Sequence, residues 1–168
     1  MRTVLVVLAA LAAASCASAP PAADHSAHFE KLKSLAGTWE QSGQTDAPPG
    51  TKVVYRVTSG GSAVQSVEFG GTPHEMVTLY TLDRGRLVLT HYCALGNQPR
   101  MELTAAEANG PLVFDCVSLG NGDLAKDMHM HHAEITFVDA NHVNSAWTLW
   151  KDGKATDTHG FTLVRVAD

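Results

Sequence analysis

From Thr38 onward, apolar and polar residues alternate with period two, in short runs separated by glycine, proline, asparagine and aspartate. Period two puts successive side chains on opposite faces of a strand, so each run predicts a strand with one buried face. The predicted strands cover 38–44, 52–58, 64–69, 75–82, 86–93, 101–106, 112–117, 129–138, 142–150 and 155–166. Gly60-Gly61, Asp83-Arg84-Gly85, Asn109-Gly110 and Asp152-Gly153 read as tight turns between them. Two connections are longer, Ala94 to Pro99 and Ser118 to Asp127. No crossover helix is available, which excludes a parallel sheet. An up-and-down meander of this length removes its edges most simply by closing. The expected fold is therefore all-β: one antiparallel barrel of about ten strands over 25–168, wide enough to hold one small ligand.

Before the strands the period changes. Phe29, Leu32 and Leu35 fall on one face of a predicted helix of about three turns, with Asp24 or Ser26 as its cap and Gly37 as its end. A helix there is placed to cover one end of the barrel. Further upstream, Met1-Arg2 and the apolar run Val4 to Ala14 read as an export signal over 1–16, too short to span a bilayer. The small residues before Cys16 resemble the bacterial lipobox, with Ala13 where that motif most often has Leu. The resemblance implies acylation of Cys16 and a lipid anchor in the membrane. Ordinary cleavage near Ala17-Ser18-Ala19 is the alternative. Both place the domain outside the cytoplasm, in the bacterial periplasm or at the outer membrane as a lipoprotein. Residues 17–24, with Pro20-Pro21, read as a stiff tether.

With 168 residues the chain has room for one domain. Twelve Lys and Arg are scattered among seventeen Asp and Glu, so there is no basic stripe and nucleic acid is not an expected partner. The exceptional count is nine histidines. His129 and His131 share strand parity with Ala133, Ile135 and Phe137, a spacing that begins a metal site. His91, Cys93 and His159 are further candidate ligands. Histidines that line a polar barrel mouth are the alternative reading. The second polar concentration surrounds the 94–99 connection, where His91, Asn97, Gln98 and Arg100 could orient a ligand carbonyl or carboxylate. Cys93 and Cys116 lie on strands separated by a third, which favours two free thiols over a disulfide. Trp147 and Trp150 fall on opposite faces, so one of them should be core.

Leu35-Ala36-Gly37-Thr38-Trp39, after a short helix and before an all-antiparallel chain, resembles the Gly-x-Trp entry of lipocalin-like (calycin) barrels. The likeness, to uncharacterised bacterial lipocalin-like envelope proteins, spans nearly the whole chain after the export segment. It implies structural roles for Gly37 and Trp39, with Arg165 from the last strand packing over the indole. The chain lacks the Thr-Asp-Tyr segment of secreted lipocalins and has more strands, which leaves fatty-acid-binding and nitrobindin-like barrels equally open.

The leading expectation is a carrier of a small apolar or amphipathic ligand, held by His91, Asn97, Gln98, Arg100, His129 and His131. A metal or haem centre on His129 and His131 is the first alternative. An envelope enzyme acting on a small ligand, with Asp115 or Asp127 as its acid, is the second.

Overall fold

The computed structural model describes residues 24–43, 47–48, 50–107 and 110–167. The export segment with Cys16, the tether up to Ala23 and Asn109 of the Asn109-Gly110 turn lie outside the described residues. One helix, α1 (Ser26–Lys33), precedes ten strands: β1 (Gly37–Gln41), β2 (Lys52–Thr58), β3 (Ala63–Glu68), β4 (Met76–Asp83), β5 (Arg86–Tyr92), β6 (Gln98–Ala106), β7 (Leu112–Gly120), β8 (His129–Phe137), β9 (His142–Lys151) and β10 (Lys154–Arg165). Each strand pairs antiparallel with its sequence neighbour, and β1 pairs with β10 to close the barrel. The expected all-β barrel with a helix at one end is the observed fold.

The inward positions of these strands supply the core. Val53, Tyr55, Val64, Tyr80, Leu87, Leu89, Met101, Phe114, Ala133, Ile135 and Leu163 are all buried. The helix adds Phe29 and Leu32, and Leu35 follows just beyond its end. It is shorter than the spacing predicts, and no side chain caps it at His25. The Asp24 carboxylate instead accepts a hydrogen bond from the Ser26 N–H at 3.0 Å. Its start is pinned to the β4–β5 turn: the His25 N–H donates to the Gly85 carbonyl, and His25 Nδ1 accepts from the Leu87 N–H. The helix thus covers the end that carries the β4–β5 turn.

Two strands run further than their patterning indicates. β6 begins at Gln98 and β7 continues to Gly120, so the 94–99 connection contracts to a tight turn in which Gly96 N–H donates to Cys93 O. Pro99 reads as a loop residue, yet β5 pairs with β6 only as far as Arg100. Beyond that point Pro99 has no N–H to donate, and Cys93 N–H reaches Asn97 O. Cys93 and Cys116 are unbridged, Trp147 is buried in the core and Trp150 is half-buried.

The barrel seam is short and heavily tied. Trp39 faces Arg165, Glu40 faces Val164 and Gln41 faces Leu163. The Arg165 guanidinium lies 4.2 Å from the Trp39 ring centre and donates to the carbonyls of Ala36, Ser34 and Ala140. The indole N–H donates to Leu35 O at 2.7 Å. Gly37 permits this approach: its φ is +133°, and a Cβ there would sit 2.9 Å from Arg165 Nη1. Gly37→Ala is expected to lower stability by about 1–3 kcal/mol, through backbone strain and displacement of the guanidinium. A melting temperature equal to that of the parent protein would contradict this account.

Candidate functional site

In a meander, alternate connections gather at the same end. Opposite the helix, residues of the β1–β2, β3–β4 and β5–β6 connections ring the mouth of a cavity of about 580 Å³. Its walls are largely apolar, with Phe69, Met76, Met130, Trp147 and Phe161 among them. That volume falls in the range of sites for small organic ligands.

Two polar side chains in the lining have a buried atom without a hydrogen-bond partner among the described residues. They are Glu68, at Oε2, and His91, at Nε2. Glu68 ends β3, where alternation puts it inward with Val64 and Ser66. Its Oε1 accepts from the Ser66 hydroxyl at 2.6 Å. Burial raises its pKa to about 7, against the lowering effect of that hydrogen bond. His91 is inward on β5, with Nδ1 2.9 Å from the Thr78 hydroxyl and its ring 4.9 Å from that of Trp147. Burial lowers its pKa to about 4, so the imidazole is neutral at neutral pH. Burial and the Glu68 charge also keep the Tyr55 phenol protonated. The cavity therefore offers a neutral imidazole and a carboxyl poised between its two forms. Together they can donate to or accept from one polar group on an otherwise apolar ligand.

The other sequence candidates lie elsewhere. Arg100 pairs with Asp83 at 2.8 Å, alongside Arg86 and its partner Glu102. Gln98 donates to Gly96 O. Asn97 is buried, but it donates to Met128 O rather than facing the cavity. The extension of β6 to Gln98 takes Gln98 and Arg100 out of the mouth loop and into a strand. Of the six expected ligand contacts, only His91 lines the cavity.

His129 and His131 are also displaced from it. β8 carries an extra residue, His131, between Met130 opposite Leu149 and His132 opposite Thr148. Such a bulge reverses the faces of the residues before it. Met130 consequently lines the cavity, while His129 is buried outside it. Simple alternation cannot anticipate that exchange. The two imidazoles do meet, with His129 Nε2 2.9 Å from His131 Nδ1, but their third neighbour is Cys116 and not His91, Cys93 or His159. His159 lies at the cavity mouth.

The acids expected for catalysis are engaged elsewhere. Asp115 holds His132 at 2.7 Å, and Asp127 accepts from the Asp123 N–H. The acid in the cavity is Glu68, which the sequence does not signal, because the parity it shares with Val64 and Ser66 is less apolar than that of Val67 and Phe69.

Fold and site together define a closed antiparallel β-barrel with an apolar interior cavity and a small polar pair within it. No family model matches the chain, and no curated protein matches its sequence.

Proposed function

We propose that this chain is an exported, lipocalin-like carrier that holds one small apolar or amphipathic molecule in the barrel, tethered to the bacterial envelope when Cys16 is acylated. The observation that carries this reading is the pairing of an apolar cavity of about 580 Å³ with unpartnered buried atoms on Glu68 and His91. Leaving a buried polar atom unpaired costs about 1–3 kcal/mol, and a ligand that supplies the partner recovers part of it. The ligand class is thus an apolar body with one hydroxyl, carbonyl or carboxyl group.

Native mass spectrometry of the untagged protein should detect an organic molecule bound one to one. Titration with an anilinonaphthalene dye should give a single site. Glu68→Gln and His91→Leu should each weaken a polar-headed ligand about tenfold. Ala94→Trp, at the exposed mouth, should block entry with the fold intact. Dye binding unchanged by Ala94→Trp would remove the cavity from the account.

A second reading is favoured by the placement of Glu68 in the cavity lining with Oε2 buried and unpartnered among the described residues, where burial raises its pKa to about 7, a range suited to proton transfer near neutral pH. In that case the cavity would turn over an enolisable carbonyl compound. Conversion of a bound ketone that is lost in Glu68→Gln would distinguish it from carriage.

A further inference from the structure

Beside the cavity mouth lies a second constellation that the carrier reading does not use. β7 and β8 pair only from Leu112 opposite Ile135 to Asp115 opposite His132, although both strands continue past that point. Each carries a bulge there: Val117 is the extra residue between Cys116 and Ser118, and His131 the extra residue on β8. The splayed strands bring together Cys116 Sγ and one ring nitrogen each of His129 and His131, all within 4.8 Å of one another.

From this geometry we infer a metal site: Cys116, His129 and His131 bind one zinc-type divalent ion, with the fourth position open to water. A thiolate and two imidazoles are a borderline-soft donor set of the kind zinc takes. Tetrahedral zinc with bonds of about 2.0–2.3 Å places its ligand atoms roughly 3.4–3.6 Å apart. His129 Nε2 and His131 Nδ1 are 2.9 Å apart, and Cys116 Sγ and one nitrogen of each ring lie within 4.8 Å of one another, the scale of that value.

The surroundings already orient the ligands. His129 Nδ1 lies 2.8 Å from the Asp127 carbonyl, which can only accept, so Nδ1 carries the proton and Nε2 presents its lone pair to the cluster. His131 Nδ1 then donates to that lone pair when no ion is bound. On coordination its proton moves to Nε2, and the Cys116 thiol, which otherwise donates to Ser118 O, releases its proton to solvent. The His131 ring is stacked on Trp150, 3.9 Å between centres and 14° from parallel. The Asn97 amide donates to the Met128 carbonyl at 2.8 Å and so fixes the backbone next to His129. His131 is half-buried, which leaves a route for the ion.

The inference is independent of the carrier reading, because none of the three residues lines the cavity. It is tested with Co(II) as probe, on protein produced from the full-length sequence without a histidine tag and stripped with a chelator. One equivalent of Co(II) should give a thiolate-to-cobalt charge-transfer band in the near ultraviolet, displaced by Zn(II). Cys116→Ser and His129→Ala should each weaken binding about a hundredfold or more. His131→Phe keeps the stack on Trp150 and should do the same with the fold retained. Cys93→Ser and Glu68→Gln should leave the band unchanged. Cobalt bound without a thiolate band, a band that survives in Cys116→Ser, or no binding at all would overturn the site.

Discussion

Trp39→Ala is expected to destabilise the protein by about 3–5 kcal/mol, enough to leave the barrel marginal at physiological temperature. The indole is 1% exposed and occupies the core directly beneath the seam. Removing it leaves a cavity, deprives the Leu35 carbonyl of its donor and takes away the face on which Arg165 rests. Trp39→Phe separates these contributions, since it keeps most of the packing and loses the N–H; about 1–2 kcal/mol is expected. A double-mutant cycle of Trp39→Phe with Arg165→Lys reads the coupling across the seam, expected at about 0.5–2 kcal/mol. Urea unfolding of the parent and the four variants measures all of these quantities. Additive single changes would show that the guanidinium acts through its three carbonyl bonds alone.

The second large effect is a pH dependence that the parent protein conceals. Glu68 rises from an ordinary 4.5 to about 7 on folding, so the folded state holds that proton more tightly than the unfolded chain. Its contribution is greatest below pH 4.5 and is lost as pH climbs to 7, by roughly 3 kcal/mol in all. His91 falls from 6.5 to about 4, so the folded state resists protonation. Its contribution is complete above pH 6.5 and is lost as pH drops to 4, again by roughly 3 kcal/mol. Between pH 4.5 and 6.5 the two slopes oppose each other. Measured against the parent, Glu68→Gln should gain stability steadily as pH rises through this window, and His91→Leu should gain it as pH falls. Each substitution also shifts stability by a constant amount, so the diagnostic is the opposite tilt. Difference curves that run level from pH 4 to 8 would mean that neither group is buried as described.

Strand positions were largely legible because one face of each strand is buried, and burial leaves a period of two. Gly37 and Trp39 were legible for a different reason, as a turn residue and a large aromatic at the entry to the first strand, whereas the place of Arg165 over the indole came from the resemblance to calycin barrels. What the period could not carry was its own interruption. The bulge at His131 and the one at Val117 change which parity faces inward, and nothing in the local residue types announces them. His129 was consequently assigned to the wrong neighbourhood and Cys116 to none. Glu68 went unnoticed for a different reason: it shares parity with Val64 and Ser66, a set no more apolar than Gln65, Val67 and Phe69, so alternation alone does not mark it as inward.

The short seam also bears on the order in which the molecule assembles. Ala36 and Arg165, joined by a hydrogen bond, are 129 residues apart in the chain. All other strand pairings join sequence neighbours and can form early, whereas the ring closes only when the two extremities of the domain meet. Until the end of β10 is available, β1 lacks its partner across the seam. For the export proposed above, that delay would keep the barrel from closing before its last strand is available.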